Sequence, residues 1–276
     1  MTERRARGFR ALGRRLLLAG VLALSLPSTQ AQDTPAAGSL RRIDTRPGVE
    51  VPIYAAWRSD ARATVVLFSG GGGGFGQIGA DGWPGSGNFL IRSGKRWAAH
   101  PFNVVMVGRP SDGLDLAQGR VRISAEHAAD NRAVLRAVHE RSRAPIWLVG
   151  TSMGTISATA AALADREALV AGLVLTSSIV AYKVDGAVPT QKIESLRVPT
   201  LVVHHANDAC WACRPHEARA LGRQLVPPTP RRLVFIEGGG TPQGEPCGAF
   251  HHHGYIGQED EVVDRIAAWI LQPVSD

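Results

Sequence analysis

The residues whose types and spacing most clearly permit chemistry are Gly150-Thr151-Ser152-Met153-Gly154. An apolar run from Ile146 to Val149 precedes them, and an alanine-rich stretch from Ile156 to Ala164, which favours helix, follows. A serine between glycines at a sharp turn from strand to helix is held at an exposed, strained tip. The amide dipoles at the start of the helix favour an anion that forms there. The pattern predicts that Ser152 is a nucleophile; the alternative is an ordinary Gly-Ser turn.

An activated serine needs a base, and the base needs an acid that orients it. Ligands of open parallel sheets sit beyond the carboxyl ends of the strands, so the acid should lie in a loop that follows a strand. Asp208 follows the predicted strand from Pro199 to His205. Asp185, after the preceding strand, is a rival acid. We favour Asp208; the alternative for this residue is a turn-forming Asn-Asp pair.

The candidate base lies in a run of three histidines, His251, His252 and His253, on the loop after the last predicted strand. Spacing cannot separate them. We favour His253, because it precedes Gly254 and lies nearest the closing helix, with His252 second. The others would then be solvated loop residues.

A run of glycines from Gly70 to Gly76, broken only by Phe75, follows directly on the predicted strand from Ala63 to Ser69. Such a run leaves backbone N–H groups free to face a ligand, although it could also be a flexible linker. We expect an oxyanion hole that pairs the N–H of Met153 with that of Gly71 or Gly72. Each such donor stabilises the transition state by roughly 3 kcal/mol.

The three cysteines are Cys210, Cys213 and Cys247. Cys210 follows the candidate acid and Cys247 precedes the candidate base, so a Cys210–Cys247 disulfide would join the two loops if acid and base meet. Because the two cysteines are 37 residues apart, such a bridge would raise the free energy of unfolding by roughly 3–4 kcal/mol. The rival pairings are Cys213–Cys247 and a local Cys210–Cys213 bridge.

The elements that must position these residues alternate between buried strands and helices along the chain. This alternation predicts an α/β fold with a mostly parallel, twisted sheet and helices on both faces. One domain is expected over residues 39–276. The stretch from Asp81 to Gly94 is predicted to be a loop over the site, and the segment from Ser178 to Arg197 is too short for a large lid domain.

The N-terminus predicts a secretory signal peptide over residues 1–31, followed by a flexible leader over 32–38. A basic part, Arg4 to Arg15, precedes an apolar part, Leu16 to Leu26, and a cleavage point near Ala31. The alternative is an uncleaved anchor helix, and export could follow the Sec or the twin-arginine route. Residues 1–31 hold six arginines and one glutamate, so only about two of the seven net positive charges remain on the rest, which gives no reason to invoke nucleic acid.

These features together resemble the α/β-hydrolase superfamily, and most closely its small, lid-poor serine hydrolases of the bacterial secreted type. The resemblance rests on the serine turn, on Val202-Val203-His204-His205-Ala206-Asn207-Asp208, on the late histidine before Gly254 and on the glycine run. It implies a Ser-His-Asp triad and an acyl-enzyme intermediate. Ser69 stands where lipases of this superfamily carry a histidine before the glycines, so the resemblance implies neither carboxylester nor lipase specificity.

The expected function is hydrolysis of an acyl ester of small or medium size in the periplasm or outside the cell, without cofactor or metal. A peptidase, amidase or acyltransferase on the same site is an alternative. A metal-binding protein is another, because a dense set of ligand types surrounds the acid: His204, His205, Asp208, Cys210, Cys213 and His251 to His253. A third is a catalytically inactive binding module. No membrane span is expected once the signal peptide is removed, and the oligomeric state is left open.

Overall fold

The structure is a computed structural model that describes residues 1–2, 36–225 and 229–275. Most of the predicted signal peptide and most of the leader therefore lie outside the described residues. Residues 34–276 form one compact unit. Within the described residues, no helix is long and apolar enough to cross a membrane.

A single eight-stranded sheet runs through this unit, beside a two-stranded ribbon. The strands are β1 (Ser39–Arg46), β2 (Val49–Ala56), β3 (Ala63–Phe68), β4 (Gln77–Ile78), β5 (Pro84–Gly85), β6 (Phe102–Val107), β7 (Ile146–Thr151), β8 (Val170–Thr176), β9 (Thr200–His205) and β10 (Arg231–Ile236). The large sheet has the order β1-β2-β6-β3-β7-β8-β9-β10, and β4 pairs with β5. The β1–β2 and β2–β6 pairs are antiparallel and all the others in the large sheet are parallel, which confirms the expected mostly parallel sheet.

Helices cover both faces of the sheet. They are α1 (Phe89–Arg92), α2 (Gly94–Ala99), α3 (Gly119–Arg122), α4 (Ala125–Arg141), α5 (Met153–Ala164), α6 (Pro215–Gln224) and α7 (Glu259–Leu271). Side chains of α1, α2 and α7 pack in one apolar cluster against one face, whereas side chains of α4, α5 and α6 pack in another against the opposite face. Successive residues of the central strands alternate between the clusters, as in β3, where Val65 joins the first and Val66 the second.

The sequence-based boundaries differ from the structure in a few places near the site. The expected loop from Asp81 to Gly94 contains β5 and α1, because the side chain of Asn88 caps a short helix that apolar periodicity is too brief to reveal. Helix α5 begins at Met153, directly after the serine, which agrees with a helix that starts at the serine turn. Between β8 and β9 the chain forms only two 3-10 turns, Val188–Thr190 and Ile193–Ser195.

Candidate active site

Ser152 lies at the junction of β7 and α5, in a backbone conformation that side chains rarely adopt. Its φ is 52° and its ψ is −128°, in the strained region of positive φ. Two glycines make this junction possible. A Cβ on Gly150 would lie 2.6 Å from the carbonyl oxygen of Gly154, and one on Gly154 would lie 2.8 Å from that of Ser69. Both glycines are therefore needed for the close approach of strand, turn and helix.

Backbone and hydroxyl hydrogen bonds hold the strained turn in place. The N–H of Ser152 donates to the carbonyl of Thr176 over 3.1 Å, and the Thr155 hydroxyl donates to the carbonyl of Ser152 over 2.7 Å. The Ser152 side chain is partly exposed, and its Oγ has no hydrogen-bond partner among the described residues. The hydroxyl is thus presented to the space above the sheet without being tied to the protein.

Asp208 is buried just beyond the end of β9, with both carboxylate oxygens engaged. Oδ1 accepts the N–H of Cys210 over 2.9 Å, and Oδ2 lies 2.9 Å from Nδ1 of His253. The rival acid, Asp185, is exposed and lies with its carbonyl oxygen against Gly119. The structure therefore brings together Asp208 and His253, residues 45 apart in sequence, and leaves Asp185 elsewhere.

The segment between β10 and α7, residues 237–258, is called the late loop here, and its three histidines have different surroundings. His253 is buried against Asp208, with a side chain 5% exposed. His252 instead stacks on His205, with ring centroids 4.3 Å apart and planes 3° from parallel. His251 meets His252 edge-on, with centroids 5.5 Å apart. Only His253 of the three pairs with the carboxylate.

His204 and His205 at the end of β9 are both buried, and burial lowers the pKa of each. A neutral His204 donates from Nε2 to the carbonyl of Cys213 over 2.6 Å. This nitrogen also lies 3.6 Å from Oδ2 of Asp208. His204 therefore forms one wall of the pocket that holds the carboxylate.

Two residues fix the backbone that carries His253. The hydroxyl of Ser177 donates to the carbonyl of His253 over 2.7 Å. The hydroxyl of Tyr255 donates to the carbonyl of Val203 over 2.9 Å and accepts the N–H of Ser177 over 3.1 Å. Burial raises the pKa of Tyr255 far above its ordinary value, so its phenol stays neutral and keeps this bridge between β8, β9 and the late loop.

Cys210 and Cys247 form a disulfide that links the Asp208 loop to the late loop. Cys213 remains a buried thiol whose pKa is raised well above its ordinary value, first by burial. Ligand atoms of Cys210, Cys213 and His253 all lie within 4.8 Å of one another, as in a metal site. Because the disulfide occupies the Cys210 sulfur, this cluster lacks one of the thiolates that a zinc ion would need.

The glycine run forms a turn next to the serine, with the N–H of Gly73 donating to the carbonyl of Gly70 over 3.1 Å. Gly70 and Gly71 line the cavity that Ser152 also lines, whereas Gly72 and Met153 are not among its lining residues. Met153 is the first residue of α5, where a backbone N–H has no partner within the helix. The N–H groups of Gly71 and Gly72 donate to no other atom in the described part of the chain.

Arg122 holds this turn from behind. The guanidinium is fully buried and donates to the carbonyls of Leu116 over 2.6 Å and Gly71 over 2.8 Å, and to the hydroxyl of Ser157 over 2.9 Å. Burial lowers its pKa to about 9, which leaves it protonated at neutral pH. A cation that binds the carbonyl of Gly71 holds the N–H of Gly72, on the opposite side of the same planar peptide, away from itself.

His127 completes this buried network beneath α5. Its Nε2 lies 2.9 Å from the hydroxyl of Ser157, the residue that Arg122 also contacts. Burial, helped by the charge of Arg122, lowers the pKa of His127 to about 4. His127 is therefore neutral at pH 7, beside a buried cation without a carboxylate partner among the described residues.

Residues of the serine turn, the glycine run and the late loop line one cavity of about 240 Å³. Its lining residues are Gly70, Gly71, Asn88, Phe89, Thr151, Ser152, Cys247, Ala249, His253 and Gly254. His253 thus contacts Asp208 through Nδ1 and shares the cavity with Ser152. No acidic side chain lines the cavity among the residues that the structure describes.

A family model described as serine aminopeptidase, S33, matches residues 92–224 of this chain. Among solved structures, an α/β serine hydrolase homologue from Coxiella burnetii has a TM-score of 0.58 at 18% identity, over 84% of this chain and 98% of its own. A dienelactone hydrolase from Anabaena variabilis has a TM-score of 0.59 at 14% identity, over 87% of this chain and 100% of its own. A serine hydrolase without a lid from Xanthomonas campestris has a TM-score of 0.55 at 16% identity, over 84% of this chain and 96% of its own.

The chain has the fold of these α/β hydrolases, and a part of it that is somewhat less than half matches the hydrolase family model. Comparison with curated proteins gave no match. The similarity thus supports a hydrolase of the α/β type. Because their sequence identities are below 20%, the solved structures show the fold alone. The substrate has to be inferred from the geometry of the site.

Sequence reasoning missed two residues of this candidate site, Arg122 and Asn88. Arg122 stands in a basic segment that looks solvent-exposed, since Arg120 lies two residues before it. Asn88 lies in a stretch rich in glycine and proline. The one available signal was Asn88 before the apolar run Phe89-Leu90-Ile91, which is typical of a helix cap.

Proposed function

We propose that the protein is a serine hydrolase that cleaves a small acyl ester through Ser152, His253 and Asp208. The observation that carries the proposal is the position of His253, between the buried carboxylate and the cavity that Ser152 lines. A nucleophile, a base and an orienting acid in this order match the chemistry of covalent acyl transfer.

In the proposed reaction, Nε2 of His253 takes the proton of Ser152 as the hydroxyl oxygen attacks the acyl carbon. The carboxylate of Asp208 accepts the N–H of Nδ1 and stabilises the imidazolium that forms. The N–H groups of Met153 and Gly71, or Gly72, donate to the oxyanion. The imidazolium then protonates the leaving alcohol, and water hydrolyses the acyl-enzyme with His253 as base. Catalytic hydrogen bonds are often long without substrate, which fits the free hydroxyl of Ser152.

The size of the cavity supports a short acyl group. About 240 Å³ is less than the roughly 300–1,000 Å³ of pockets that enclose drug-sized ligands. The lining is largely backbone and apolar atoms, so we expect acetyl to butyryl esters to react faster than long-chain esters.

A peptidase is the second candidate, because the matching family model is described as a serine aminopeptidase. An aminopeptidase must bind a cationic α-amino group beside the scissile bond. The cavity offers it no carboxylate among its described lining residues. We therefore expect amino-acid anilides to be poorer substrates than uncharged esters of the same leaving-group reactivity.

The test is turnover of acetyl, butyryl and octanoyl p-nitrophenyl esters, and of leucine p-nitroanilide, by the wild type and by Ser152→Ala. The proposal expects turnover that falls with acyl length and at least a 10³-fold loss in the variant. Turnover unchanged by Ser152→Ala would overturn it. Stoichiometric zinc in a protein without turnover would favour the metal-binding alternative, and a folded protein without either would favour a binding module.

We also propose that the enzyme is exported and works in the periplasm or outside the cell. The basic and apolar N-terminal segment and the Cys210–Cys247 disulfide support this location, since disulfides persist in oxidising compartments. Fractionation of cells that produce the full chain tests it, with N-terminal sequencing of the mature protein. A full-length chain in the cytoplasmic fraction would contradict it.

A further inference from the structure

Asn88 is a polar side chain at the cavity to which neither the sequence nor the proposed triad gives a role. It caps α1: its Oδ1 accepts the N–H of Leu90 over 3.1 Å. The backbone N–H of Asn88 donates to the hydroxyl of Ser86 over 3.2 Å. Because the cap uses the oxygen of the carboxamide, the orientation of the group is fixed and Nδ2 points to the other side.

On that side Nδ2 lies near Ser152, the proposed nucleophile. A Cβ on Gly70 would lie 2.9 Å from Cβ of Ser152 and 3.4 Å from Nδ2 of Asn88, so both atoms flank one face of Gly70. Asn88 and Ser152 also line the same cavity. Nδ2 has no acceptor among the described residues, which leaves two N–H donors available at the cavity that Ser152 lines.

We propose that Asn88 is a catalytic residue whose Nδ2 donates a hydrogen bond to the carbonyl oxygen of the acyl group attacked by Ser152. This inference rests on the proposed function. The side-chain donor adds to the backbone N–H groups of the oxyanion hole. Charge grows on the carbonyl oxygen as the tetrahedral intermediate forms, so a fixed donor stabilises the transition state more than the bound ester.

The role predicts which kinetic steps depend on Asn88. The same carbonyl oxygen becomes an oxyanion when Ser152 attacks the ester and again when water attacks the acyl-enzyme. The leaving alcohol is present only in the first of these steps. A donor to the carbonyl oxygen therefore accelerates both acylation and deacylation, whereas a donor to the leaving group accelerates acylation alone.

Three substitutions separate the donor from the helix cap. Asn88→Ser keeps an oxygen that can cap α1 and removes the amide donor. Asn88→Asp keeps the cap and the shape but places a negative charge beside the developing oxyanion. Asn88→Ala removes cap and donor together. Folding of each variant is compared by circular dichroism and thermal midpoint.

Stopped-flow kinetics with p-nitrophenyl acetate gives the acylation and deacylation rates separately. We expect Asn88→Ser to keep the wild-type thermal midpoint while both rates fall by roughly 10²- to 10³-fold. Asn88→Asp should be slower still, and Asn88→Ala should match Asn88→Ser in rate but have a lower midpoint.

Rates of Asn88→Ser within threefold of the wild type would overturn the assignment. So would a loss confined to acylation, which would place Nδ2 on the leaving group. Failure of the proposed function gives a different result, because a wild type without turnover, unlabelled at Ser152 by a fluorophosphonate, leaves no rates to compare and removes the assignment with it.

Discussion

The two sides of the cavity are held by different kinds of interaction. The base side, formed by Asp208 and His253, is joined by the Cys210–Cys247 disulfide and by a buried carboxylate–imidazole hydrogen bond. The glycine side, formed by Gly70 to Gly76, has no covalent link and is held by the buried guanidinium of Arg122, which binds backbone carbonyls.

The difference follows from what each side must present. The base side must hold two side chains from distant loops in one line, which a covalent link between the loops favours. For the proposed reaction the glycine side must present backbone N–H groups, and a cation can hold them in place by fixing carbonyl groups on their far side. We therefore expect the base side to depend on the oxidation state of the protein, and the glycine side on buried titratable groups.

The largest expected effect comes from Asp208→Asn on the base side. Because the amide oxygen would take the N–H of Cys210, the amide nitrogen would face Nδ1 of His253 and force the tautomer that cannot accept the Ser152 proton. We expect kcat to fall by about 10⁴-fold with little change in KM. Steady-state kinetics with a p-nitrophenyl ester measures this. Asp185→Asn is the matched control, and an equal loss there would contradict the assignment.

Removing the disulfide tests the covalent half of the comparison. For a bridge that spans 37 residues, loss of Cys210 and Cys247 together should lower the free energy of unfolding by about 4 kcal/mol. Because Cys247 is exposed, a reductant should act in the same direction on the wild type. Urea unfolding of a Cys210→Ser/Cys247→Ser protein gives the size of the effect. Cys213→Ala leaves the bridge intact, so reductant should lower its free energy of unfolding by as much as it does in the wild type. A larger decrease would show that the free thiol also affects stability under reducing conditions.

Acid should destabilise the glycine side through His127. Its pKa is about 4 in the folded protein and 6.5 when unfolded, so between these values the unfolded chain binds more protons. The contribution of His127 is present above pH 6.5 and is lost as the pH falls toward 4, a change on the order of 3 kcal/mol. Urea unfolding of the wild type and of His127→Gln across this range isolates it from the other buried histidines. Parallel curves for the two proteins would show that His127 does not contribute.

The smallest effect is expected from Arg122→Met. Without the guanidinium the carbonyl of Gly71 loses its donor, and the turn that presents the oxyanion N–H groups loosens. We expect kcat to fall by about 10²-fold. The pKa of the base in the pH profile of kcat/KM should stay unchanged, because the contacts of His253 are untouched. Arg122→Lys should recover part of the loss, and a shifted base pKa in either variant would show that the two sides are not independent.

Much of this fold follows from the order of apolar runs along the chain. The runs at Ala63, Phe102, Ile146 and Thr200 are mostly apolar and contain several β-branched residues, which is typical of strands buried on both faces. The starts of helices α4 and α7 can be read from the sequence, because Ser124 caps the first and a run of acidic residues opens the second. Short helices such as α1 escaped prediction, since four residues carry no helical periodicity.

The candidate site was predictable where a residue's position along the chain limits its place in space. Ser152, Asp208 and His253 each follow a strand of one parallel sheet, so the fold itself brings their loops to one edge. The choice among the three histidines needed the structure, because only packing shows that His252 stacks on His205. The roles proposed for Arg122 and Asn88 depend on the direction of a side chain, which no spacing in the sequence encodes.

The most direct test of the account is mass mapping of a fluorophosphonate adduct on the purified protein. The account predicts one adduct, on Ser152, whose formation slows sharply in Asp208→Asn and is abolished in Ser152→Ala. An active protein whose adduct maps to another residue, or which takes no label at all, would contradict it.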